Sequence, residues 1–160
     1  MLSLDSPRWA ELEQGYGTAE DVPRLLDALA TLDDPGARAE VWFALWRMLC
    51  RPDAVFDAAY AAAPHLLDVA ADFALPERVE AIHFVSRIEV MRLTPGAPSI
   101  PPDLVAAYAE AVEELPALVA GAIGEPWTPA IAQVLGAALL IGKRQGALGA
   151  AVLEIGDEKA

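Results

Sequence analysis

Cysteine is all but missing from this chain. Cys50 is the only thiol among 160 residues, so no internal disulfide can form and no multi-cysteine zinc or iron–sulfur site can be built. It follows the stretch WFALWRML, where a small buried residue at the end of an apolar helix is the expected role. A catalytic thiolate needs a base beside it, and His65 and His83, the two histidines, lie well away along the chain.

Basic residues are scarce too. Eleven Lys and Arg face twenty-four Asp and Glu, a net charge of −13, and the densest basic stretch is GKRQG at Gly142–Gly146. Affinity for a nucleic-acid backbone comes largely from neutralising phosphates, so DNA and RNA are not expected partners. The same acidity favours a basic protein partner and also serves solubility.

Long apolar runs are absent. AIAQVLGAALLIG (Ala130–Gly142) is interrupted by Gln133 and falls short of the roughly 20 residues that span a bilayer. The opening MLSLDSPRWAELEQ has no basic stretch followed by an apolar one, so no signal peptide is expected and the chain is assigned to the cytoplasm. GYG and GALG lack the strand–glycine–helix context of a phosphate loop. Ser3, Ser6 and Ser99 read as terminal, cap and loop residues, and Ser86, three residues after His83, sits in no nucleophile elbow. Glu80-x-x-His83 is half of a helical dimetal motif whose other half is missing. His65 and Asp68 lie one turn apart, a pairing that suits a half-buried histidine or a solvated helix pair better than a metal. No metal, cofactor or catalytic residue is expected, and a non-enzymatic role is preferred.

What the chain does have is the composition of a packed helical domain. Hydrophobic residues make up 55% against 22% charged, enough to bury a core in one domain over 1–160. Alanine and leucine dominate while β-branched residues are scattered, which favours helix. A short helix is expected after Asp5 or Ser6, with Pro7 at its start and Gly15 and Gly17 ending it. Thr18 is the expected cap of a second, with Leu25, Leu26, Leu29 and Leu32 on one face. Asp33 or Asp34 caps a third, apolar over more than one stripe (Val41, Phe43, Leu45, Trp46, Leu49), which neighbours should cover on two sides. After a break at Arg51–Asp53, a helix is expected from about Asp53 to Phe73 with Pro64 inside, kinking or breaking it. Pro76 and Glu77 begin the next, with Ile82, Val85, Ile88 and Met91 on one face. TPGAPSIPPD (Thr94–Asp103) is a loop, followed by a helix carrying Pro116, and Thr128 and Pro129 start a long apolar one. ALGAAVLEIG adds a short last helix, and DEKA is expected to fray.

Three of these helices share an odd feature, proline followed by paired apolar residues: VPRLLDALA from Val22, APHLLDVAA from Ala63 and LPALVAGAI from Leu115. From Pro23, Pro64 and Pro116 a second apolar-periodic helix begins 14, 15 and 15 residues on, near Ala37, Val79 and Ile131. The prolines are 41 and 52 residues apart, and the extra eleven are close to the ten residues of the TPGAPSIPPD insertion. Periods of about 40–47 residues mark HEAT and armadillo helix pairs. The expected fold is therefore an all-α superhelix of about three pairs (18–50, 53–92 and 102–142) with short terminal helices. In it each proline would set a bend at an equivalent place.

LDSPRWAELEQGYGTAEDVPRLLDAL and WFALWRMLC…VFDAAYAAAPHLLDVAA resemble a group of uncharacterised bacterial HEAT-like proteins. These join a Pro-Arg-Trp-x-x-Leu start to a later Tyr-x-x-x-Pro-x-Leu helix. The similarity runs from Leu4 to Met91 and fades beyond. Its motifs are packing motifs, so it implies fold, and only loosely an immunity-type or adaptor role.

The functional expectation is a protein-binding module whose inner helices, 36–50, 77–91 and 128–142, supply a concave face. Trp42 and Trp46 share a helix face, with Arg47 and Arg51 on another part of the cylinder. Aromatic and arginine anchors dominate many interfaces, so Trp42, Trp46, Arg47, Tyr60, His65 and His83 are the candidate partner-binding residues, with Asp57 beside them. The alternative is a small-molecule or enzymatic pocket near Trp42, Tyr60, His65 and His83. A second copy of the chain, paired through the last apolar helix, is a third option.

Overall fold

Prolines and side-chain caps decide where most of the helices begin. The computed structural model describes residues 1–51 and 54–155. Asp34 accepts a hydrogen bond from the Ala37 amide at 2.7 Å and Pro35 occupies the first turn of the helix it caps. Thr128 does the same for the Ile131 amide at 3.3 Å ahead of Pro129. Seven α-helices result among the described residues: α1 (Val22–Thr31), α2 (Pro35–Leu49), α3 (Asp57–Ala70), α4 (Leu75–Arg92), α5 (Val105–Gly121), α6 (Pro129–Gly142) and α7 (Gly146–Glu154). The chain is mostly helical, as its composition implies.

The departures lie where tertiary partners outbid local preference. The first expected helix is only a 3-10 turn at Pro7–Glu11, with the Ser6 hydroxyl accepting from the Arg8 amide. An antiparallel hairpin follows, β1 (Glu13–Gln14) with β2 (Gly17–Thr18). Remote groups hold it: the Gly15 amide donates to Met48 carbonyl at 2.7 Å and the Glu13 amide to Asp57 Oδ1 at 2.6 Å. Gly17 supplies the turn's positive φ of 139°. Thr18 is thus a strand residue, and α1 starts after Asp21, which makes no side-chain cap bond. A second hairpin, β3 (Cys50–Arg51) with β4 (Ala54–Val55), delays α3 to Asp57. Pro52 and Asp53 of the expected break, and the DEKA tail, lie outside the described residues. Phe43, expected in the core, is 59% exposed, so α2 is covered less fully than its apolarity suggested.

The prolines fall where expected along their helices, but not at equivalent places. Pro23 lies in the first turn of α1, whereas Pro64 and Pro116 stand inside helices assigned as continuous through them. They do not occupy equivalent depths. They do mark equivalent faces. Counting from each proline, the residues at −1, +3 and +6 are Val22, Leu26 and Leu29; Ala63, Leu67 and Ala70; and Leu115, Val119 and Ala122. All nine are at most 4% exposed.

Each odd-numbered helix of the first six packs on the even-numbered one after it. In addition α1 meets α3, α3 meets α5, and α4 meets α6. Side chains join α2 to α4: Arg38 makes a two-pronged contact with Glu77 (2.6 and 2.9 Å). The last helix, α7, packs on α6 and α4. It lies along the apolar helix proposed for pairing two chains, where Leu139 stays 41% exposed.

The Thr94–Asp103 loop is tied down by polar groups. Tyr60 donates to the Pro98 carbonyl at 2.9 Å, and Arg8 grips Asp103 at 3.0 and 3.3 Å. Beneath it Glu89 accepts from Arg92 (2.6 and 2.7 Å) and from the Tyr108 hydroxyl (2.8 Å). Burial beside that carboxylate pushes the Tyr108 phenol well above its usual range. Among the described residues three buried side-chain atoms lack such support: Trp42 Nε1, Arg78 Nε and Ser86 Oγ. Ser86 is fully buried and its hydroxyl has no hydrogen-bond partner among the described residues.

These two sites predict mutations of opposite sign. Ser86→Ala removes an unsatisfied buried hydroxyl and should raise stability by about 1 kcal/mol. Glu89→Ala strands Arg92 and Tyr108 and should lower it by about 2 kcal/mol, less than a fully buried pair because Arg92 keeps some water. Urea denaturation of both variants checks the signs.

Candidate functional site

The side built from α2, α4 and α6 carries an open cleft of about 720 Å³. Its spine is a stripe on α4: Glu80, His83 and Arg87 follow one another at spacings of three and four, and so share a face. Trp46 of α2 leans over that stripe. Its indole N–H donates to Glu80 Oε1 at 2.6 Å, and its ring lies 5.4 Å from that of His83 and 4.2 Å from that of Phe84. Across the gap stand Ile131 and Gln133 of α6. Gln133 also donates to the Val152 and Leu153 carbonyls at 2.9 and 2.8 Å. Those carbonyls belong to the last turn of α7, where helical acceptors run short of backbone donors; Val152 otherwise accepts only a long bond from the Ile155 amide at 3.4 Å. The bonds fix Leu153 at the edge of the cleft. Trp46 and Arg87 also line a smaller cavity of about 310 Å³, so the two adjoin at these side chains.

Of the residues singled out from sequence, Trp46 and His83 line the main cleft and Arg47 lines the smaller cavity. The other three are elsewhere. Trp42 is 5% exposed with its ring 6.3 Å from Phe84, and its indole N–H has no partner among the described residues. Tyr60 is fully buried in an edge-on contact with Tyr108, and burial raises its phenol to about 12. His65 is buried beside Trp9, with Nε2 2.7 Å from the Leu2 carbonyl, an arrangement in which the ring nitrogen donates. Asp57, Tyr60 and His65 thus share one job. From α3 they bond the backbone of β1, of the proline-rich loop and of the N-terminal segment. They staple rather than recognise, and the pocket expected from Trp42, Tyr60, His65 and His83 is not assembled.

Two residues of the cleft were not anticipated. Arg87 could have been found from its spacing to Glu80 and His83. Gln133 was noted only as an interruption of an apolar run. Its position is set by a contact with α7 that no local pattern records.

The chemistry on offer is modest. Among the described residues no group of three or more His, Cys, Asp or Glu could hold a metal ion. Ser86 is sealed in the core. Cys50 sits behind the cleft with Sγ 3.0 Å from Met91 Sδ, and burial lifts its thiol to about 11 against the opposing pull of Arg87. A thiol so protected stays protonated at neutral pH. Among the described residues no helix is long and apolar enough to cross a membrane. No known protein family, curated protein or solved structure matches the chain.

The staple at His65 predicts a pH effect. Burial disfavours the imidazolium, so folded His65 titrates below the ordinary 6.5. Below that value the unfolded chain takes up a proton more readily than the folded one. The contribution of His65 is therefore complete above the ordinary value and shrinks as pH falls. Stability measured from about pH 7 down to about 5.5 should decline, with a shallower slope in His65→Gln.

Proposed function

We propose that this is a non-enzymatic, HEAT-like binding module that holds a protein partner against the face of α2, α4 and α6. The observation that carries the reading is the cleft itself, which opens on the three helices expected from sequence to be the inner ones. The ordered packing of α1, α3 and α5 and the shared burial register of their prolines support a helix-pair array with repeats near 18–50, 53–92 and 102–142. Stacked pairs of this kind present an extended surface from one row of helices.

Within that surface Trp46 is the anchor. It is half-buried, its indole is already oriented by Glu80, and its ring lies on the aromatic floor of His83 and Phe84. A rigid tryptophan in a semi-enclosed site is the type of residue that dominates binding energy at interfaces. The net charge of −13 favours a basic partner at long range. The immunity-type or adaptor role implied by the family resemblance is compatible with such docking.

A small-molecule reading keeps one point in its favour: about 720 Å³ lies within the size of ligand pockets, roughly 300–1,000 Å³. The residues first suggested for it do not converge, so it stands second.

The test is capture from the native host at low ionic strength with the immobilised protein. The wild type should retain a discrete partner that is released by salt. Trp46→Ala should weaken that complex roughly tenfold or more, as hot-spot truncations do, while Asp68→Lys on α3 should not. Retention of no protein, or equal retention by Trp46→Ala, would overturn the reading.

A further inference from the structure

Nine arginines are present, and most are neutralised where they stand. Arg8, Arg38, Arg78, Arg92 and Arg144 each pair with a carboxylate. Four remain that form no ion pair among the described residues: Arg24, Arg47, Arg51 and Arg87. Three of those four line the same cavity, the one of about 310 Å³ beside Trp46. Among the described residues no carboxylate lines it. In a chain of net charge −13 that segregation is unexpected.

Aromatic rings hold two of these guanidinium groups in place without neutralising them. Arg47 lies over Tyr16 and Phe43, 5.6 and 5.7 Å from their centroids, and its Nη2 donates to the Tyr16 hydroxyl at 2.9 Å. Arg51 lies over Tyr16 and Phe56 at 5.2 and 5.6 Å and donates one N–H to the Gly15 carbonyl. Arg47 Nε also donates to the Tyr16 hydroxyl at 3.2 Å, so its Nη1 is the group left for a ligand; stacking fixes each guanidinium plane while leaving such N–H groups for carboxylate and phosphate oxygens. Arg87 reaches the cavity from α4. Its charge is felt at the buried Cys50 sulfur.

The rest of the lining is of another kind. Phe43, Trp46, Cys50 and Met91 supply ring and sulfur surface, which is polarizable and adapts to a flat apolar body. Three cations thus share a cavity with an apolar wall. Glu80 is the neighbouring carboxylate, and it is engaged by the Trp46 indole N–H, while exposed charges farther off are screened over about 8 Å at physiological ionic strength.

We infer that this cavity is a binding site for a small amphiphilic anion, an aryl carboxylate or aryl phosphate. The ring lies against Trp46, Phe43 and Met91, and the oxyanion meets Arg47, Arg51 and Arg87. The inference does not depend on the protein-docking reading, since a ligand can occupy this cavity whether or not a partner covers the adjoining cleft.

Titration calorimetry with phenyl phosphate and with benzoate tests it, using inorganic phosphate and benzyl alcohol as head-only and body-only controls. At least one aryl anion should bind, and tryptophan fluorescence should change on binding, a change lost in Trp46→Phe. Arg51→Gln and Arg87→Gln should each weaken binding about tenfold, the effect of losing one charged hydrogen bond. Rising salt should weaken it in the wild type, which tests the charge dependence even if a variant fails to fold. The stronger of the two aryl anions distinguishes a phosphate from a carboxylate ligand. Absence of binding by both, or binding unchanged in both arginine variants, would overturn the proposal. So would inorganic phosphate or benzyl alcohol binding as tightly as the aryl anion.

Discussion

Helix α3 is buried on nearly every side, and the arrangement of the molecule depends on how that burial is tolerated. Ten of its fourteen side chains are buried, six of them alanines. Alanine loses no side-chain entropy on ordering, and its small size lets neighbouring backbones come close. That is how α1, α4 and α5 all pack on one short helix. A helix also suits such a position because its backbone polar groups largely satisfy one another.

The few polar side chains on α3 had to find partners, and where they found them set the rest of the fold. Asp57, Tyr60 and His65 bond the backbone at Glu13, Pro98 and Leu2 respectively. Three non-helical segments, far apart along the chain, are thereby fastened to one helix. A small open cavity of about 230 Å³ remains between α3 and α5. The largest cleft described above lies on the other side, between α2, α4, α6 and α7. The proposed binding role rests on that cleft, where Glu80 and Gln133 are held by Trp46 and α7 and still line the opening.

Helices, their order and most of their limits were legible because local chemistry fixes them. Asp34 with Pro35 and Thr128 with Pro129 are capping signals that need nothing beyond the adjacent turn. The regions misread, around Thr18 and ahead of Asp57, are those where a backbone amide bonds a residue 30 or more positions away, as Glu13 does with Asp57 and Gly15 with Met48. The candidate site was legible by half. Trp46, Arg47 and His83 could be named from residue type and helical face. Trp42, Tyr60 and His65 carry the same chemistry yet turn inward, and nothing in their immediate neighbours distinguishes the two groups.

The amino-acid order by itself determined a helical chain with one thiol, an acidic balance and no apolar run long enough for a bilayer. Which tryptophan lines a cleft, which histidine becomes a staple and which arginines go without carboxylates were decided only on packing. Those outcomes depend on side chains from helices distant in sequence meeting at one place, and no local periodicity encodes such a meeting.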